Sequence, residues 1–314
     1  MFHYQISEIP MYDESEAEID VDPVPQGREL EELQTHAKET RIILHTVNDK
    51  ETTAVLHVMK PLDGLKKLVN FGSAPFKIVL GIFGGYKAAQ VKTKMGTDCS
   101  NGIKAALKRL PNICAVIAVG VGYGMDREKY KYGDVLVSKH VHGVKDVRLQ
   151  PGEIRFRDSD ISTVEVSEAL TDIFTVMIST WNKKFQCNKT EPAADGSTPE
   201  ARYAKVYCGG IICGPMLVAD AKQRDSLRRN HPEVIGGEME GGELVKIQNE
   251  YNADRDRPHD LNVIVIKGVG DFGDHRKEVG RKWQYTASLA AASYAEHKLL
   301  ITEGTCSLFK ADSD

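Results

Sequence analysis

The 314-residue sequence predicts a single-domain α/β fold of three layers, with helices covering both faces of a central sheet. Three observations carry that prediction. Apolar runs of strand length recur along the chain with helical patterns between them. These runs are continuous rather than alternating, as strands buried on both faces require. Glycine clusters and acidic residues stand directly after several runs, where an open α/β sheet places its ligands. The composition, 41% hydrophobic and 27% charged, is close to the globular average and excludes collagenous, low-complexity and wholly disordered chains.

The first 27 residues hold seven acids (Glu8, Asp13, Glu14, Glu16, Glu18, Asp20, Asp22) and no Lys or Arg. Such a stretch, closed by Pro23-Val24-Pro25, buries too little apolar surface to offset its ordering entropy. The expectation is an acidic flexible tail over residues 1–36 and one domain over 37–314. Without the seven acids the formal charge of −4 becomes +3.

Within the domain, residues 41–44 and 77–82 read as buried strands. A helix over 103–110 leads into a strand over 114–119, and further strands follow over 134–137, 206–212 and 261–266. Residues 181–203 turn polar around Asp195-Gly196-Ser197, as a surface excursion would. An Ala-rich amphipathic helix over 283–301 closes the pattern. There is no internal repeat. With no basic segment leading into an apolar run and no apolar stretch of membrane length, a cytoplasmic protein with no membrane partner is expected. Six scattered cysteines form no C-x-x-C pair, so free thiols and no metal site are expected. Neither a cofactor nor a nucleic-acid partner is expected.

Two glycine clusters need separate treatment. Gly268-Val269-Gly270-Asp271-Phe272-Gly273 satisfies G-x-G-x-x-G, but a dinucleotide site needs a βαβ unit with a second strand, and only a terminal helix remains downstream. Gly120-Val121-Gly122-Tyr123-Gly124 follows the strand that ends at Val119. It reads either as backbone that a ligand can approach or as a tight turn.

Four acids stand at strand ends: Glu51, Glu238, Glu240 and Asp271. Taken singly, each could be a helix-start acid or an N-cap. Together they line the carboxyl ends of several strands, where a sugar's hydroxyls and a leaving group would both find partners. That is the constellation glycosyl chemistry needs.

The order of these motifs resembles the purine nucleoside phosphorylase and nucleosidase superfamily. Thr46, Glu51 and Ala54 are followed by the glycine cluster, Gly133-Asp134-Val135, Glu238-Met239-Glu240-Gly241 and Lys267-Gly268-Val269-Gly270-Asp271. The resemblance spans about residues 40–302. It implies a twisted mixed central sheet flanked by helices, in a homo-oligomer built as a dimer or hexamer. It also implies that Glu240 takes the sugar hydroxyls, with Glu238 and Met239 beside it. Gly122 and Tyr123 would line the base on one side, and Met216, Leu217 and Val218 on the other. Asp271 would be the acid that protonates purine N7.

Cleavage of an N-glycosidic bond builds positive charge on the ribose and negative charge on the departing base, so an acid at N7 lowers the barrier. Phosphorylases of this superfamily hold phosphate with an Arg and a Ser or Thr at the central strand end. Here that stretch reads Ala118-Val119-Gly120-Val121. Nucleosidases instead activate water with a glutamate, and Glu51 occupies that position. The resemblance therefore implies hydrolysis of a purine nucleoside or nucleotide, with ATP the best single guess. Phosphorolysis and a nucleotide sensor without turnover stay open as alternatives. Lys87, Lys267, His275-Arg276-Lys277 and Arg281-Lys282 are the basic candidates for a 5′ phosphate.

Overall fold

A computed structural model describes residues 19, 21–23, 28–72, 77–94, 97–144, 148–150, 153–155, 161–176, 178–181, 185–187, 202–214, 221–274, 281–303 and 306–309. The elements run in the order β1 (Val21–Asp22), α1 (Arg28–Glu39), β2 (Ile42–Thr46), α2 (Asp49–Val58), β3 (Leu68–Asn70), β4 (Ile78–Phe83), β5 (Tyr86–Lys92) and α3 (Thr97–Arg109). Next come β6 (Ala115–Gly124), β7 (Val135–Val144), β8 (Arg148–Gln150), β9 (Glu153–Arg155), β10 (Ile161–Glu165), α4 (Glu168–Thr175), β11 (Gln186–Cys187) and β12 (Arg202–Tyr203). The chain continues through β13 (Val206–Cys213), α5 (Ala221–Asn230), β14 (Val234–Glu238), α6 (Gly241–Asn252), β15 (Asn262–Asp271) and α7 (Gln284–Ile301).

The main sheet is mixed, in the order β1-β3-β4-β5-β2-β6-β14-β13-β7-β10, with β15 pairing to both β6 and β7. This pairing closes a ring, β6-β14-β13-β7-β15, with both of the other sheet branches leaving from it. Strand β2 runs parallel to β5 and β6, and β15 parallel to β6, whereas β14 meets the far end of β6 antiparallel.

Helices cover the two faces, as the continuous apolar runs require. Side chains on a strand alternate between faces. On β15, Gly268 meets Ala287 of α7, while odd-numbered Val265 meets Gly241 of α6. Helix α2 packs on α7, and α3 on α6. Ile43, Val116, Ile117, Ile264 and Val265 are essentially inaccessible in the sheet between them, each stabilising the fold by about 1.5–3 kcal/mol relative to exposure. Gly268 explains the dinucleotide-like glycine pattern: a Cβ there would overlap the Ala287 backbone, so the residue seats α7.

Two features bear on the sequence expectations. Helix α1 spans Arg28–Glu39 with Leu33 and Ala37 buried, and Val21–Asp22 pairs with Leu68–Val69, so the expected boundary after residue 36 falls inside a helix of the body. Residues 120–124 do not form a loop; they continue β6, whose partners on β14 and β15 extend alongside.

Candidate active site

Strand β2 ends at Thr46, and α2 begins two residues later on an Asn48 cap. Asn48 Oδ1 accepts the Glu51 amide at 3.0 Å, and Glu51 Oε2 accepts the amides of Val47 and Asn48 at 2.9 and 3.3 Å. This is a capping box, so the plain structural reading of Glu51 holds. The other oxygen goes further: Oε1 accepts the Val121 amide of β6 at 2.8 Å. Glu51 is buried because Gly120 has no side chain; a Cβ at that position would overlap its carboxylate.

Strand register brings the remaining acids to the same place. On β6 and β15, Gly120 pairs with Lys267, Gly122 with Val269 and Tyr123 with Asp271. On β14, Gly237 pairs with Tyr123, which sets Glu238 one residue beyond. Lys267, 1% exposed, places its ammonium 3.4 Å from Glu238 Oε2 and 3.8 Å from Glu240 Oε2. Glu238 also accepts the amides of Glu240 and Gly241 at 3.2 and 2.8 Å, at the positive end of α6.

Glu51, Glu238 and Glu240, all buried, act on the one ammonium of Lys267, and the two glutamates paired with it respond differently. Burial pushes Glu238 toward protonation, but Lys267, the Cys213 thiol and the helix amides outweigh it and hold its pKa below the ordinary value. Burial and the Glu238 charge push Glu240 up to about 8, with Glu51 adding to the rise and Lys267 opposing it. Burial opposes the charge of Lys267, yet the surrounding carboxylates raise its pKa above the usual lysine value. Lys267 thus favours the charged form of Glu238, while burial and the Glu238 charge favour the protonated form of Glu240.

A polar strip at the ends of β2 and β5 adjoins this cluster. His45 Nε2 lies 2.8 Å from Thr93 Oγ1 and 3.5 Å from Cys99 Sγ, and Gln90 donates to Thr46 Oγ1 at 2.8 Å. Burial, and then Lys267, depress the His45 pKa to about 3, so its ring is neutral. Among the described residues, His45 Nδ1 and Gln90 Oε1 are buried without a hydrogen-bond partner.

Asp271 closes β15, where its Oδ1 accepts the Gly273 amide at 2.7 Å. The turn beyond it is clamped: Arg224 donates to the Phe272 carbonyl at 2.9 Å, and Arg127 pairs with Asp274 at 3.2 Å. The Tyr123 ring lies over Gly237, and burial followed by Cys213, Asp271 and Glu238 raises its pKa. Among the described residues, no group of three or more His, Cys, Asp or Glu could hold a metal ion.

No family model matches the chain. It is similar to a death domain-containing ATP nucleosidase of Amphimedon queenslandica, 29% identical over 282 residues, which cover 87% of this chain and 51% of that protein. The chain thus spans about half the length of that relative. Among solved structures it is similar to the 5′-methylthioadenosine/S-adenosylhomocysteine nucleosidase of Neisseria meningitidis in complex with methylthio-immucillin-A. The TM-score is 0.62 at 15% identity, over 84% of this chain and 99% of that one. It is also similar to the futalosine hydrolase of Helicobacter pylori, with a TM-score of 0.58 at 15% identity over 83% and 97% of the two chains. The chain has the nucleoside phosphorylase/nucleosidase fold.

In this nucleosidase-type fold, Glu51, Gly122, Tyr123, Glu238, Glu240 and Asp271 converge on the ends of β6, β14 and β15, and Met239 is half-buried between the two glutamates. Leu217, with Met216 and Val218, lies outside the described residues, as do His275, Arg276 and Lys277. Lys267 is not an open phosphate cation: it is the buried counter-ion of Glu238 and Glu240. Lys87 pairs with Glu39, away from the cluster, while Arg281 and Lys282 are exposed. Sequence reading missed His45, Thr93, Gln90 and Cys99. For His45, Gln90 and Thr93 the signal was polarity toward the ends of β2 and β5; Cys99, in α3, carried none.

Proposed function

We propose that this chain is a purine nucleosidase. It hydrolyses the N-glycosidic bond of an adenine nucleotide, ATP being the preferred candidate, to adenine and ribose 5-triphosphate. The observation that carries the reading is Glu51 on the bare backbone of Gly120, beside two further glutamates that share a single lysine. A dianionic phosphate nucleophile would meet repulsion there, whereas water would meet a base. Glu51 Oε2 accepts two backbone amides, whereas Oε1 accepts one and keeps a second lone pair for a water.

In the reaction, water attacks C1′ as the bond to the base breaks. Glu51 takes a proton from the water, and Asp271 delivers one to N7 of the leaving adenine. Glu240, which burial and Glu238 push toward its protonated form, donates to one ribose hydroxyl and accepts from another. Carboxylate oxygens around the sugar stabilise the oxocarbenium character of the ribose in the transition state. The Amphimedon relative is named an ATP nucleosidase, and the solved structures are nucleosidases and a hydrolase by name, which supports this reading.

The test is incubation with ATP and with adenosine, each with and without inorganic phosphate, followed by chromatography. Free adenine appearing at the same rate without phosphate is expected. Ribose 1-phosphate formed only when phosphate is added would overturn hydrolysis, and release from adenosine alone would overturn the nucleotide assignment.

A further inference from the structure

A cavity of about 550 Å³ shares no lining residue with the carboxylate cluster. Its walls are the turn between β6 and β7 and the segment from β12 into β13. Val135 donates to the Lys205 carbonyl at 2.8 Å, and the buried Asp134 accepts the amides of Lys131 and Lys205, both at 2.9 Å. Arg202 meets the Asp134 charge at 2.7 Å. With that acid neutralised, the charged residues left among the described lining are Lys129, Lys131 and Lys205 against Glu128.

The turn holds these lysines in place. Asp126 accepts the amides of Glu128 and Lys129 at 2.9 and 3.4 Å, and Lys131 Nζ donates to the Arg127 carbonyl at 2.8 Å. Tyr207 braces the wall, its hydroxyl donating to the Lys129 carbonyl at 3.2 Å and its ring meeting Tyr130 edge-on at 4.8 Å. Tyr203 leaves an aromatic side chain 46% exposed at the rim. Three lysines border one recess of small-molecule size, Lys129 Nζ over the Tyr130 ring at 5.1 Å and Lys131 Nζ on the Arg127 carbonyl, so their charge favours an anion there, and the exposed Tyr203 ring offers a stacking face.

The geometry points to a binding site for a nucleoside polyphosphate, in which Lys129, Lys131 and Lys205 take the phosphates and Tyr203 stacks on the base. The site does not rest on the hydrolytic reading of the carboxylate cluster.

Calorimetric titration of inorganic tripolyphosphate into the full chain is expected to show one site, weakened by added salt. K129A/K205A is expected to bind at least about tenfold more weakly, as loss of charge-assisted contacts implies, with its circular dichroism unchanged and K129R/K205R retaining affinity. E240Q/D271N is expected to bind tripolyphosphate as the wild type does. In that background ATP should displace tripolyphosphate, and Y203A should weaken the displacement by roughly threefold or more. Four results would each overturn the site: no binding, a K129A/K205A affinity within about twofold of wild type, loss of binding in E240Q/D271N, or displacement indifferent to Y203A.

Discussion

Replacing Lys267 by methionine removes the one ammonium among three buried carboxylates and keeps the stem that packs beside Gly122. At 3.4 Å from Glu238 and an effective dielectric of about 20, the lost attraction is about 5 kcal/mol gross. The net penalty for stranding a buried charge is about 3–5 kcal/mol, a fall in Tm on the order of 10 °C. The sign with pH follows from Glu238. Lysine holds its pKa below the ordinary value; without the lysine, burial raises it above the unfolded value. Its protonated form then stabilises the folded state at low pH, and that contribution is lost as pH rises. Urea denaturation at pH 5 and pH 8 should therefore show a smaller deficit for Lys267→Met at the lower pH, and Glu238→Gln in the same chain should recover part of it. A deficit below about 1 kcal/mol at pH 8, or one identical at both values, would refute the reading of Lys267 as the counter-ion of the cluster.

Other outcomes follow from the same geometry. Gly120→Ala drives a methyl into the Glu51 carboxylate and should cost about 1–3 kcal/mol, with turnover falling by more than global stability explains; thermal melts beside an adenine-release assay separate the two. Glu240, pushed from an ordinary 4.5 up to about 8, stabilises the fold below the ordinary value and loses that contribution as pH climbs toward 8. Glu240→Gln should thus gain on wild type by up to about 1.4 kcal/mol per pH unit between pH 5 and 8, read from paired urea curves. Asp271→Asn and Glu51→Gln should each cut adenine release about 10²–10⁴-fold, with nucleotide binding by calorimetry retained. A Glu51→Gln enzyme at wild-type rate would remove Glu51 from the role of base.

The buried strands were legible because a strand covered on both faces reads as an unbroken apolar run; β4, β6 and β15 all do so. Strand β5, with its two lysines and a glutamine, and β14, five residues with two glycines, carry no such signal. The glycines of 120–124 mislead for a related reason. Glycine usually weakens a strand, but in β6 each absent side chain admits a neighbour: Glu51 at Gly120, Lys267 at Gly122, the Phe272 ring at Gly124. The acids were visible at strand ends, but their grouping depends on the β6–β15 register, which no local pattern encodes. Lys267 could have been placed better from sequence: a lysine in the middle of Ile264-Val265-Ile266-Lys267-Gly268-Val269 must be buried, and a buried lysine needs a carboxylate.

The ring of β6, β14, β13, β7 and β15 has one more consequence. Glu238 and Asp271, Tyr123 between them, and the lysine that anchors the cluster all ride on its strands. A closed hydrogen-bonded circuit has no edge to peel from, so the cluster cannot be opened by sliding one strand away. The outer strands β1 and β10 sit at the open ends of the sheet, outside the circuit. Amide exchange should therefore spread inward from those two ends and reach Val265, Ile266 and Lys267 last.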